Sequence, residues 1–213
     1  MTKRLLSFSD LRHAVNVTTT TASGAQTIDR LLVAAAGAFA DKGFHATTTR
    51  DIASRARLSP AGVYVHFSSK EDLLHALSHT GHEAALDLVK GAASGPGTAA
   101  ERLARIMSSF ARWHADHYEV ARVVQYEFPH LTPEHRDDVL ALRKQIDALV
   151  RTVLQDGVDA GELSVDNVQD TALALMSLCI DVARWYSPSI SRTPAAIGTT
   201  YAALGLRLVA APG

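Results

Sequence analysis

The chain has 213 residues, 47% of them hydrophobic and 20% charged, with a formal net charge of −1 and a single cysteine. That apolar share fills one large domain, or a small domain joined to a larger one, and excludes a chain too polar to fold. One cysteine, Cys179, excludes a disulfide framework and a multi-cysteine zinc cluster.

The longest apolar stretches are Leu31–Ala40, across Gly37, and Ala172–Ile180, across Ser177. Both fall short of the ~18 residues of a membrane span. Lys3 and Arg4 are followed only by Leu5 and Leu6, not by the apolar segment of a secretion signal. The expectation is a soluble, cytoplasmic protein with no membrane partner. The charge is unevenly spread. Residues 1–70 carry nine Lys/Arg against four acids, a net +5, and the remaining 143 residues carry twelve against eighteen, a net −6. A basic front on an acidic body points the front toward nucleic acid.

Residues 1–25 lack sustained periodicity and end in the polar run Thr18–Gly24, which predicts a flexible arm with a short helix near Ser9–Val15. From Thr27 onward Leu31, Leu32, Ala35, Ala38 and Phe39 recur at helical spacing, and Gly43 stops that helix after Lys42. Thr48 with Asp51 three residues on resembles a capping box, opening a short helix that turns Ile52, Ala53 and Ala56 inward. Arg57 and Leu58 form a turn. Ser59 then caps a third helix over Pro60–His66, with Pro60 at its first position and Val63 and Phe67 facing its neighbours.

Ser69 caps a long helix to about Lys90, and Gly91–Gly97 is a glycine-rich break. Thr98 and Glu101 make a full capping box for a helix to about Asp116. Further helices are expected over His117–Phe128, from Thr132 to about Gly161, over Asp166–Trp185 and over Thr193–Val209. No strand pattern appears. The fold class is all-α.

The span Thr48–Phe67 has the parts of a helix-turn-helix, with Ala53 small at the crossing, Ile52 and Val63 between the helices, and a short turn. In such a unit the second helix enters the major groove and helix N-termini face phosphates. Thr48, Thr49, Ser59, Tyr64 and His66 supply hydrogen-bonding groups there, and Arg50 and Lys70 are flanking cations. The pattern Gly43-Phe44-x-x-Thr47-Thr48-Thr49-Arg50-Asp51-Ile52-Ala53, then Ser59-x-x-x-Val63-Tyr64-x-His66-Phe67-x-Ser69-Lys70-Glu71-x-Leu73, resembles the DNA-binding region of TetR-family transcriptional regulators.

That resemblance, over about residues 27–75, implies a three-helix DNA-binding domain on a helical ligand-binding and dimerisation domain, acting as a repressor released by a small molecule. It assigns phosphate contacts to Thr48, Tyr64, His66 and Lys70, and groove-facing positions to Ser59, Pro60, Ala61 and Gly62. The expected division is an arm over 1–25, the DNA-binding domain over 26–70 and the effector and dimerisation domain over 71–213. The sequence departs from the family at Arg57, where glycine is usual; a left-handed backbone there costs a non-glycine residue roughly 1–2 kcal/mol. It departs again at Ala61, where the family has glycine and this chain has Gly62 beside it.

Arg184-Trp185-Tyr186-x-Pro188, with Thr193-Pro194-x-x-Ile197 and Leu204-Gly205-Leu206, resembles the subgroup that controls lipid or sterol catabolism and answers to CoA thioesters. The helices from Thr98 to Trp185 hold more apolar side chains than a compact bundle demands, either as solid core or as the lining of an elongated cavity. The candidate effector residues are Phe110, Trp113, Phe128, Met176 and Trp185, with Arg122, Arg143 and Arg184 to meet an anionic head group. The last two helices carry Val168, Ala172, Leu175, Leu178, Cys179 and Val182, and Ile197, Tyr201, Leu204 and Leu208; one stripe of each serves its own core, and the surplus predicts a homodimer. The partners expected are therefore a palindromic double-stranded operator, a small hydrophobic effector and a second copy of the chain.

Two rivals stand beside this. His75, His79 and His82 share one helical face at i, i+4 and i+7, the spacing of a metal-responsive repressor. An architectural DNA-binding protein without effector is the other. An enzyme is not expected, since Cys179 lies within an apolar helix and Gly91–Gly97 lacks the Lys-Ser/Thr of a phosphate loop. No cofactor and no resident metal are expected.

Overall fold

The computed structural model describes residues 22–210, and the first 21 residues of the arm predicted over 1–25, with its short helix near Ser9–Val15, lie outside them. The described residues form helices α1 (Ala22–Ala46), α2 (Thr49–Ala56), α3 (Pro60–Tyr64), α4 (Lys70–Ser94), α5 (Ala99–Asp116), α6 (Tyr118–Tyr126), α7 (Pro133–Asp159), α8 (Val168–Trp185) and α9 (Pro194–Leu208), with a 3₁₀ turn at Phe128–His130. An isolated antiparallel bridge joins Leu163 to Ala210, and no strand occurs among the described residues.

These residues divide into two units. One comprises the chain up to residue 84 together with 119–140, and the other comprises 85–118 with the chain from 141 onward. The division differs from the one expected at residue 70. Within the first unit, Glu71 is bonded to Thr132 and His135, and Phe44 stacks on His130 at 5.2 Å, so the second segment is fastened to the helix-turn-helix side.

In the first unit α1 is the platform. Its periodic residues Leu31, Leu32, Ala35, Ala38 and Phe39 are all buried, as the spacing requires. The helix begins at Ala22 rather than near Thr27, so the end of the polar run is helical and not arm. Gly24 is a weak helix former, but Ala22 and Ala25 favour the helix and packing further along the chain sustains it. The expected stop appears as a break at Gly43, whose φ of 75° and ψ of 165° leave the helical region where a side chain would be strained.

α2 packs on α1 through Ile52, Ala53 and Ala56, and α3 packs on α2 through Val63. α3 is shorter than expected. It ends at Tyr64, because the N–H groups of both His66 and Phe67 turn back to the single carbonyl of Val63 at 2.9 Å.

In the second unit the apolar faces of α5, α8 and α9 meet around Leu103, Ile106, Met107, Phe110, Leu175 and Ile197. α5 and α9 approach closely at Gly198, where a Cβ would stand 2.5 Å from the Ser108 carbonyl oxygen. Thr98 and Glu101 form the expected reciprocal cap of α5. The expected break after Lys90 is displaced, with α4 running through Gly91 to Ser94. Ala172, Leu175, Cys179, Val182 and Ile197 form the stripe that serves this unit's own core.

Arg57, between α2 and α3, adopts φ 55° and ψ 45°, the left-handed conformation. Its N–H bonds Ser54 O and Leu58 N bonds Ala53 O, so the turn is satisfied in hydrogen bonds but strained at its Cβ. Arg57→Gly is expected to raise unfolding stability by about 1 kcal/mol. Chemical denaturation of the two proteins side by side measures this; a loss of stability would mean that the Arg57 side chain contributes more than the strain it causes.

Candidate functional site

The helix-turn-helix is held by a chain of polar contacts that local sequence sets up. Thr48 Oγ1 accepts from Asp51 N at 3.2 Å while Asp51 Oδ2 accepts from Thr48 N at 2.9 Å, so two free N–H groups at the start of α2 are satisfied reciprocally. Lys42 Nζ reaches the other oxygen of Asp51 at 2.7 Å. The Lys42 ammonium, then the Thr48 hydroxyl and N–H, hold the Asp51 carboxyl well below the usual carboxylate range. Arg55 pairs with Asp41, and Arg30 Nη2 donates to the carbonyl of Ala56 at the end of α2. Ser59 Oγ caps α3 by accepting from Gly62 N at 3.1 Å.

This scaffold leaves Thr48, Arg50, Ser59, Pro60, Ala61 and Tyr64 exposed, and Thr49, Gly62 and His66 half-buried. Val65, which the sequence reading did not single out, is 78% exposed beside Tyr64 at 56%. Its signal was concealed because a β-branched residue two positions after the buried Val63 looks like core. Lys70 has a different place from the one expected. Its ammonium donates to the carbonyls of Phe44 at 2.6 Å, Thr47 at 2.9 Å and His45 at 3.2 Å, and lies 4.4 Å from the centre of the Phe44 ring. A lysine has three N–H donors, and all three point into the protein.

The candidate effector residues are not brought together in one unit. Phe110 and Met176 are core side chains of the second unit, with Trp113 and Trp185 packed at its edge. Arg143 is half-buried there, and desolvation lowers its pKa from the ordinary guanidinium value. Arg122 and Phe128 belong to the first unit and are half-buried. Arg184 is exposed and grips Asp181 with two bonds, Nε to Oδ1 at 2.6 Å and Nη2 to Oδ2 at 2.9 Å. An anionic head group at Arg184 would compete with that carboxylate.

The three histidines of α4 do not converge. His75 Nε2 faces Asp138 at 3.5 Å, His79 Nδ1 faces Glu83 at 3.2 Å, and His82 Nδ1 meets the Ser78 carbonyl at 2.7 Å. The metal site that their spacing offered as a rival reading is thus not assembled among the described residues. Cys179 is buried, and desolvation pushes its thiol up to about 12, which leaves it a small core residue. No helix among the described residues is long and apolar enough to cross a membrane.

Residues 31–77 match the family of bacterial regulatory proteins named for tetR, and residues 96–209 match the tetracyclin repressor-like C-terminal domain. The chain belongs to the TetR family. It is 32% identical over 189 residues to the HTH-type transcriptional repressor KstR2 of Rhodococcus jostii (strain RHA1), covering 85% of this chain and 90% of that one. It is 25% identical over 134 residues to the fatty acid metabolism regulator protein of Bacillus subtilis (strain 168), covering 63% and 69%. The crystal structure of a tetR-family regulatory protein from Rhodococcus RHA1 superposes with a TM-score of 0.83 at 36% identity, covering 92% of this chain and all of that one. A TetR-family helix-turn-helix thus accounts for the capped pair α2 and α3.

Lys70→Met keeps the length of the side chain but removes the three donors. It is expected to lower unfolding stability by about 2 kcal/mol, the scale of losing hydrogen bonds from a charged donor, and to leave the salt dependence of DNA binding unchanged. Denaturant melts and binding isotherms at several salt concentrations measure both. Unaltered stability with a salt slope smaller by about one unit would return Lys70 to the role of phosphate contact.

Proposed function

We propose that this TetR-family regulator represses transcription in the cytoplasm as a homodimer on a near-palindromic operator, and leaves the DNA when a hydrophobic acyl thioester or related lipid binds. The carrying observation is the capped α2–α3 pair, which presents Thr48, Arg50, Ser59, Pro60, Ala61 and Tyr64 to solvent on a buried scaffold. In this reading Thr48, Thr49, Arg50, Tyr64 and His66 hold phosphates, while Ser59, Pro60, Ala61, Gly62 and Val65 meet base edges. Lys70 positions the unit from within. Regulation rather than catalysis is the activity, in keeping with the names of its relatives.

Dimerisation is supported by apolar side chains that the chain does not bury in itself. Leu173 and Leu178 on α8 are 64% and 42% exposed, and Leu204 and Leu208 on α9 are 45% and 62% exposed. Leu204 and Leu208 lie one turn apart on one face. A four-helix interface across a two-fold axis would cover them and pair two recognition helices ~34–36 Å apart, or a multiple of that.

The lipid class is supported by the fatty acid regulator among the relatives and by the apolar set Phe110, Trp113, Met176 and Trp185. Arg143, already desolvated, is the better head-group candidate of the second unit, and Arg184 the poorer because Asp181 holds it. Arg122 and Phe128 remain candidates within the first unit. Moving a dimer from 1:99 to 99:1 in favour of the released state needs roughly 5.5 kcal/mol of differential binding, about half from each of two ligands.

Two measurements test this reading. A gel-shift titration with acyl-CoAs of several chain lengths is expected to release operator DNA, while free CoA and the free acids release it poorly. DNA binding that no ligand relieves would favour an architectural protein. Leu204→Glu with Leu208→Glu is expected to give a monomer in sedimentation and at least a tenfold loss of operator affinity; a doubly substituted protein that remained dimeric would remove α9 from the interface.

A further inference from the structure

Outside the helix-turn-helix, the first unit gathers histidines and carboxylates where α4 and α7 begin. Glu71 and Asp72 lie in the first turn of α4, and His135 lies in the first turn of α7. One ligand atom from each of the three comes within 4.8 Å of the other two. His135 Nδ1 stands 2.8 Å from Glu71 Oε2 and 3.0 Å from Oε1. We propose that Glu71, Asp72 and His135 form a binding site for a divalent transition-metal ion of the zinc type.

The donor chemistry suits such an ion: one imidazole nitrogen and two carboxylate oxygens from the protein, with a fourth position open to water. Zinc bonds of ~2.0–2.2 Å to tetrahedral ligands place those ligands roughly 3.3–3.6 Å apart. The Glu71–His135 pair therefore needs to open by roughly 0.3–0.8 Å. In the metal-free protein His135 Nδ1 and the Glu71 carboxylate are hydrogen-bonded to each other. On binding, the Nδ1 lone pair and a carboxylate lone pair turn to the ion, and the neutral imidazole carries its one N–H on Nε2. Two carboxylates balance the double positive charge, so the site closes without a net buried charge.

The supporting groups hold these ligands in place, as metal ligands require. Glu71 Oε1 also accepts from Thr132 N at 2.8 Å. The Asp72 carboxylate is bonded to the Ser68 hydroxyl, and Asp72 N donates to Ser69 Oγ at 3.0 Å. The His135 ring stacks on His75 at 3.8 Å and 3°. His75 Nε2, in turn, is buried, lacks a well-formed hydrogen bond and faces Asp138 Oδ2 at 3.5 Å. The His135 and Glu71 side chains keep 24% and 16% of their exposure, which leaves an ion a path in from solvent. Residue 71 follows Lys70 directly, so an ion here would fix the turn from which Lys70 reaches the end of α1.

This inference rests on neither the operator nor the effector reading, and its test uses neither. The full chain is stripped with chelator, dialysed at pH 7.5 and titrated with zinc chloride in a calorimeter, with thermal melts alongside and cobalt(II) as a visible probe. The expected result is one equivalent of zinc per chain, a higher melting temperature and a cobalt d–d absorption band. His135→Asn keeps an N–H donor toward Glu71 and should lose that equivalent while remaining folded by circular dichroism. Glu71→Gln keeps the acceptor for Thr132 N, serves as the second variant and should bind at least tenfold more weakly. His79→Gln and His82→Gln should bind as the parent does. A parent protein that takes up no zinc overturns the proposal. So does an equivalent that survives both His135→Asn and Glu71→Gln, or one lost in His82→Gln, which would move the ion to the α4 histidine face.

Discussion

The ammonium of Lys70 is the contact on which the reading head depends. Beyond the break at Gly43 the carbonyls of His45 and Thr47 have no further helical turn to accept from, and that of Phe44 accepts from Thr47 N at 3.3 Å with a second lone pair to offer. One cation from the first turn of α4 satisfies all three and also sits against the Phe44 ring. A positive charge at a helix C-terminus is favourable in its own right. Thr47 is buried, donates to Gly43 O at 2.7 Å, and is followed at once by the Thr48 cap of α2. The position of α2 is therefore set by a side chain more than twenty residues away in sequence.

The second unit is held together differently. Its charged pairs, such as Arg102 with Asp156 and Arg184 with Asp181, are partly or largely exposed and contribute little to stability. Packing dominates: Ile106, Met107 and Cys179 are almost wholly enclosed, and α9 rides so close to α5 that Gly198 has no room for a methyl group. His114 is enclosed among these side chains with Nδ1 on the Phe110 carbonyl, and burial lowers its pKa to about 4, so it stays neutral. Phe110 and Met176 are already in contact with this core. A ligand that reached them would first separate side chains that now touch each other, which links effector binding to a change in packing.

Much of this architecture could be read from the chain. Caps are local: Thr48 with Asp51, Ser59 with Gly62 and Thr98 with Glu101 announce helix starts because the partners lie three residues apart. The apolar period of α1 was legible for the same reason, and the left-handed turn at Arg57 only through the glycine usual there in the family. Much of what escaped depended on distance in sequence. Nothing near Lys70 indicates that its donors are taken by residues 44–47, whereas Asp181, three residues before Arg184, was a local signal for the pairing of that guanidinium. The helical spacing of His75, His79 and His82 was real, but a shared face does not make side chains converge, and each found its own partner. His135, 64 residues from Glu71, was invisible as its neighbour.

α3 consists of five residues, too few to be helical without support. Val63, inserted against α2, and the Ser59 cap anchor it. The side chains at Ala61, Tyr64 and Val65 are correspondingly uninvolved in holding the helix in place. In the proposed reading of the operator, base contacts at Ala61 and Val65 are separate from the packing at Val63, while Ser59 has a part in both. Mutational drift can explore new operator sequences at the exposed positions without first crossing a valley of unfolded intermediates, and duplicated copies of such a gene can part company in the sites they read while keeping one scaffold.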